Sequence, residues 1–152
     1  MAVDGSRAKS VMSGGDFFDA NVFVYLVDLR APAKQAVAQK LVTEALREGS
    51  AVISFQVVQE TLDVLGHKFK RVASVPERED LLREVLLPLW KVQPSAKLYA
   101  SALAVQARQG LSFYDSLIVA AALEAGCRRL VTEDLQDGQR IGSLRIENPF
   151  RN

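Results

Sequence analysis

The chain has 152 residues, 49% of them hydrophobic, a length and apolar content suited to one compact core. Its 19 lysines and arginines against 18 aspartates and glutamates leave a formal charge of +1, so no global field draws a polyanion to the surface and any nucleic-acid contact must be local. The single cysteine, Cys127, excludes an intrachain disulfide, and no apolar run approaches the ~20 residues of a membrane-spanning helix, so the cytoplasm is the expected compartment.

Residues 1–15 are small and polar with scattered charges, lack the apolar centre of a secretory signal, and are expected to form a flexible leader. Phe17-Phe18 is the first strand-like run, followed by a short helix over Val22 to Val27. Pro32, suited to a first helical turn, opens a helix that runs to Arg47 before a stop at Gly49, with Leu41, Val42, Ala45 and Leu46 as its apolar stripe. Ala51 to Phe55 is a second strand. From Gln56 to Arg71, Val58, Thr61, Leu62, Leu65 and Phe69 recur at three- and four-residue steps and mark a core-facing helix. Glu60 lies off that stripe, beside Val57 and Val64.

Pro76 and Pro88 bracket a charged amphipathic segment, and Leu89 to Val92 reads as a third strand. Ser95 begins another helix that stops near Gly110. Leu117 to Ala125 is apolar nearly all the way round, the mark of a helix enclosed by protein, and Gly126 is placed to end it. Arg129 to Val131 and Leu144 to Ile146 complete the strands. Strands alternating with helices predict a mostly parallel sheet covered on both faces. No repeat or Gly/Ser linker after Gly15 divides the chain, so residues 16–150 are expected to be one domain.

The chemically suggestive positions are Asp19 with Asn21 after the first strand, Glu60 after the second, Asp115 at a helix start, and Asp134 with Asp137 after the fourth. Each has an ordinary alternative. Asp19 can cap the helix that follows it, and Ser112-Phe-Tyr-Asp115 fits a capping box. Glu60 can be a solvated helix residue, Asp137-Gly138 reads as a turn, and Asp134 can cap that turn. Arrangement favours chemistry, because the carboxyl ends of parallel strands share one edge, where a crevice opens at the topological switch point. Acids converging there repel one another and stay ionised together only beside a cation. A hard divalent ion such as Mg²⁺ or Mn²⁺ suits an all-oxygen donor set, and it can activate water against a phosphodiester.

Phe17-Phe18-Asp19-Ala20-Asn21, Gln59-Glu60, Ser112-Phe113-Tyr114-Asp115 and Leu130-Val131-Thr132-Glu133-Asp134 resemble, in order and spacing, PIN-domain nucleases, particularly VapC-type toxins of bacterial toxin–antitoxin modules. The likeness covers roughly Asp16 to Phe150. It implies a three-layer α/β/α sandwich with a mostly parallel central sheet and an acidic Mg²⁺ or Mn²⁺ pocket built from Asp19, Glu60, Asp115 and Asp134. In that reading Asp19 and Asp115 ligate directly, and Glu60 and Asp134 act through water. Asn21 and Thr132 support them, and Asp137 is a candidate fifth acid. Glu133 departs from the basic or neutral residue of many relatives. The implied activity is endoribonuclease cleavage of RNA, with an antitoxin as inhibitor and a homodimer as a common assembly.

Two other functions compete with that expectation. A phosphatase or receiver domain needs a phosphorylatable Asp19, but Asn21 stands where a second aspartate belongs and no lysine is placed for the phosphoryl group. A non-catalytic RNA- or protein-binding module would keep the fold and use the acids as caps. His67-Lys68-Phe69-Lys70-Arg71 suggests phosphate contacts but reads better as a solvated face; Cys127 and Trp90 read as core, and Phe113 and Tyr114 are open candidates for base stacking.

Overall fold

The computed structural model describes residues 14–67 and 73–151. Its sheet has six strands: β1 (Asp16–Phe18), β2 (Ala51–Ser54), β3 (Trp90–Val92), β4 (Arg129–Val131), β5 (Arg140–Ile141) and β6 (Leu144–Glu147), in spatial order β3-β2-β1-β4-β6-β5. Every pairing is parallel except β5 with β6. All four residues of β2 are buried, the pattern of a strand covered on both faces. The mostly parallel, helix-covered sheet expected from the alternation is therefore present.

Six helical segments connect the strands among the described residues: α1 (Ala20–Val27), α2 (Pro32–Glu48), α3 (Phe55–His67), α4 (Val75–Leu81), α5 (Ala96–Gln109) and α6 (Phe113–Glu124). Pro32 sits in the first turn of α2, and Gly49 ends it in the left-handed conformation at φ +65°, which a side chain rarely adopts. The α3 stripe is as expected, with Val58, Thr61 and Leu65 buried, although the helix begins one residue early at Phe55. The expected continuation through Lys68 to Arg71 lies outside the described residues.

Pro88 does not close the charged segment as expected. The helix continues from α4 through a π-helical turn, Leu82–Leu86, into Leu87–Leu89. A proline has no N–H to give and its ring crowds the carbonyl four residues back, so a widened turn just upstream accommodates it. The small hairpin strand β5 had no counterpart in the apolar runs, because its two residues, Arg140 and Ile141, carry too little pattern to register.

Phe17, Phe18, Ile53, Leu130, Leu144 and Ile146 are fully buried strand residues, packed with Phe23, Leu65 and Leu98 from the helices. Helix α6 is buried continuously from Ser116 to Ala122, which matches its all-round apolar sequence, and it starts at Phe113, with Asp115 in its first turn as expected. Cys127 is buried, and burial pushes its thiol up to about 12, so it remains protonated. Trp90 is half-buried, its indole N–H donating to the Val92 carbonyl at 3.1 Å. Among the described residues no helix is long and apolar enough to cross a membrane.

Candidate active site

The strand order fixes where a site can form. From β1 the chain crosses to β2 on one side, while β4 enters on the other, so the β1/β4 boundary is the switch point of the parallel sheet. Asp19 immediately follows β1, and Thr132 to Asp134 immediately follow β4. The parallel pairing of Phe18 with Val131 places those two chain ends side by side, and the Asp19 amide donates to the Val131 carbonyl at 3.0 Å.

Asp19 is both the cap its sequence suggests and a buried acid. It is 5% exposed; its Oδ1 accepts from the Ala20 amide at 2.7 Å and its Oδ2 from the Thr132 hydroxyl at 2.7 Å. Burial raises its pKa to about 7 against the lowering of both hydrogen bonds, and the charges of Asp134 and Glu60 push the same way as burial. The Thr132 hydroxyl also accepts from the Asp134 amide at 3.0 Å, so one side chain orients two acids. The Asn21 amide donates to Asp134 Oδ2 at 3.3 Å, while Asn21 Oδ1 is buried without a hydrogen-bond partner.

An open cleft of about 380 Å³ lies above this junction. One wall is a single face of α1, where Asn21, Val24, Tyr25 and Asp28 follow one another at helical spacing. The opposite wall is Glu60, Asp63 and Val64 of α3, and Asp19 and Asp134 stand at the base and rim. The Glu60 carboxyl is raised first by burial and then by Asp134 and Asp115, against a hydrogen bond from Gln56 at 3.2 Å. Asp134 is raised by partial burial, then by Asp115 and Glu133. Among the described residues no lysine or arginine lines the cleft.

Asp115 enters from a fourth element. Its amide donates to the Ser112 hydroxyl at 3.1 Å, but the reciprocal bond of a capping box is not formed, unlike at Ser74 and Glu77, where both halves are present. Its carboxylate is thus not consumed by the cap, and it acts electrostatically on Glu60 and Asp134 from beyond the cleft wall. Gln56 ties the two helices together by donating to the Tyr114 carbonyl at 3.1 Å as well as to Glu60.

This donor set suits a hard divalent cation: carboxylates that raise one another's pKa, a partnerless amide oxygen, and no thiol or imidazole among the cleft-lining residues. Among the described residues no three acidic, histidine or cysteine side chains gather on a single point.

The PIN domain family model matches residues 17–139. This chain belongs to the PIN domain family. Its fold is similar to two solved structures: FitAcB from Neisseria gonorrhoeae, with 19% identity over 90% of this chain and 99% of that one at a TM-score of 0.58, and VapBC2 from Rickettsia felis bound to a DNA fragment from their promoter, with 20% identity over 88% and 97% at 0.61. No curated protein sequence matches.

Within this PIN domain the acids flagged in the sequence separate into two groups. Asp19, Glu60, Asp115 and Asp134 interact electrostatically, and Asn21 and Thr132 hold two of them. Asp137 does not join them. Its Oδ1 accepts from the Asn148 amide at 2.7 Å and its Oδ2 pairs with Arg151 at 2.8 Å, bonds that hold its pKa low and make it a fastener of the C-terminal turn.

Glu133 does line the cleft, but the Tyr25 hydroxyl donates to it and Lys34 lies 3.5 Å away, so its charge is partly compensated. Tyr25, Gln56 and Lys34 were not singled out in the sequence. Tyr25 stands four residues after Asn21 and Gln56 four before Glu60, a helical spacing that links each to a flagged residue. Lys34 had no local signal, because only the packing of α2 on α1 brings it near. His67 is exposed, with Nδ1 3.0 Å from the Asp63 carbonyl, and the rest of the cationic run lies outside the described residues.

Proposed function

We propose that this PIN domain is a metal-dependent endoribonuclease, the toxin of a type II toxin–antitoxin pair acting in the cytoplasm. The observation that supports this most is that four acids delivered by separate segments act on one another electrostatically around the switch point of one sheet: Asp19 after β1, Glu60 from α3, Asp115 from α6 and Asp134 after β4. Mutual interaction over such sequence separations is not what caps and surface acids produce. The sequence resemblance to VapC-type toxins supports the toxin–antitoxin assignment and a homodimeric assembly, and the fold likeness to VapBC2 supports an antitoxin partner.

In this reading Asp19 and Asp115 would hold Mg²⁺ or Mn²⁺, and Glu60 and Asp134 would assist them. Bound there, the cation supplies Lewis acidity toward a phosphodiester and a more acidic water. The chain's own residues do the positioning. Thr132 fixes Asp19 and the start of the Asp134 loop, Asn21 turns the Asp134 carboxylate, and Gln56 orients Glu60. A proton at Asp19 competes with the cation, because burial favours the neutral carboxyl.

The test is incubation of purified, partner-free protein with cellular RNA in Mg²⁺ or Mn²⁺, beside Asp19→Asn, Asp115→Asn and a chelator control. Cleavage that each variant lowers by about 10²-fold or more, and that the chelator abolishes, is the expected outcome. Undiminished cleavage in both variants sinks the mechanism. Absence of both cleavage and metal binding in the wild type favours the non-catalytic binding module instead.

A further inference from the structure

The opposite edge of the sheet carries the reverse charge. Where β1, β4 and β6 begin, a cleft of about 480 Å³ is lined by Gly14, Asp16, Arg128, Arg129, Arg140, Ser143 and Arg145. Strand register generates it: Arg140 pairs with Arg145 across the β5/β6 hairpin, Arg145 with Arg129 across β6/β4, and Arg129 with Asp16 across β4/β1. Directly paired residues project to the same face at ~5 Å strand spacing, so three guanidinium groups stand in a row with one carboxylate at its end.

Like charges placed directly opposite one another destabilise a sheet unless something compensates them. Arg129 is compensated by Asp16 and Glu147, and Arg145 shares Glu147 at 3.1 Å. Arg140 has no ion-pair partner among the described residues, and Arg128 gives its Nε only to the Gly14 carbonyl at 3.1 Å. Four guanidinium groups therefore share two carboxylates around a concave surface with the Ser143 hydroxyl at its edge. Guanidinium forks match phosphate oxygens bidentately, and several in register suit consecutive phosphates better than one isolated anion.

We propose that this arginine row binds the phosphates of a single-stranded RNA backbone. Among the described residues no lysine or arginine lines the acid cleft, and the chain's net charge of +1 supplies no general attraction for a polyanion, so a local basic patch of this kind is the feature that offers it contacts. The choice of RNA as occupant rests on the proposed function, whereas the patch itself does not depend on whether the acid cleft is catalytic.

The test measures fluorescence anisotropy of a labelled single-stranded RNA in chelator, so that no cleavage occurs, over a range of salt concentrations. The proteins compared are the wild type, Arg140→Gln/Arg145→Gln, and a charge-matched control, Lys40→Gln/Lys97→Gln, with exposed lysines elsewhere. The arginine variant is expected to bind about tenfold more weakly and to lose about 1.4 from the slope of log affinity against log salt, the value for two single-strand phosphate contacts, while the control keeps the wild-type slope. Equal losses in both variants, or no binding by the wild type, overturn the proposal. So does polyglutamate competing as well as unlabelled RNA of equal charge, because the row would then recognise carboxylates.

Discussion

Asp19 carries the largest energetic consequence of any single side chain in the acid cleft. Its pKa of about 7 in the fold, against 3.8 unperturbed, means that the folded state holds a proton the unfolded chain has already lost between those values. Stability from neutral Asp19 is therefore complete below pH ~4 and is lost as pH rises through about 7. Metal-free Asp19→Asn is accordingly expected to match the wild type in thermal melts near pH 4 and to exceed it at pH 8, by about 4 kcal/mol or roughly 8 to 16 °C. An equal difference at both pH values would show that burial does not favour the neutral carboxyl. Metal affinity should run the opposite way, strengthening from pH 6 to 8 as the proton leaves, which calorimetric titration with Mn²⁺ would detect. Thr132→Val removes the hydroxyl shared by Asp19 and the Asp134 amide. It is expected to lower stability by about 1–3 kcal/mol in urea melts and metal affinity by ~10-fold or more.

Among the elements, α5 and α6 offer an internal comparison. Ser95 caps α5 by accepting from the Leu98 amide, and Ser112 caps α6 by accepting from the Asp115 amide. Ser95→Ala and Ser112→Ala are each expected to cost about 1 kcal/mol in denaturant melts, since each leaves one amide of a first turn without its partner. Only Ser112→Ala should also depress metal-dependent cleavage, because Asp115 sits in the turn that its cap holds. A matching depression in Ser95→Ala would mean that the cap acts through global stability alone. The same element shows a boundary that the sequence placed by its cap, with Asp115 in the first turn after Ser112. The apolar run begins only at Leu117, whereas the helix begins where Ser112 satisfies its first turn, so the cap and not the apolar pattern marks the start. The run through Pro88 has a similar cause, since local sequence rules treat proline as a stop and packing against the sheet keeps the helix going.

For the whole molecule, divalent cation binding to the folded state alone would raise stability by about 2.7 kcal/mol at a hundred times its dissociation constant. Melts in Mn²⁺ should therefore shift upward for the wild type and not for an Asp19→Asn/Asp115→Asn double variant; an equal shift in both would place the ion elsewhere. The sequence by itself determined the alternating helices and strands, the enclosed α6 and the acids worth examining. Apolar spacing, caps and motif order are local, and local signals survive without coordinates. Only tertiary structure decided which acids share a site. Asp134 and Asp137 are three residues apart and equally plausible along the chain. The turn after β4 leaves Asp134 with Asn21 at the cleft and fastens Asp137 to Asn148 and Arg151. The tie from Tyr25 and Lys34 to Glu133 joins residues about a hundred positions apart, and the arginine row exists only through strand register across three hairpin or parallel pairings. Electrostatic fields and hydrogen bonds act over a few ångströms in space, and distance along the chain carries no record of that proximity.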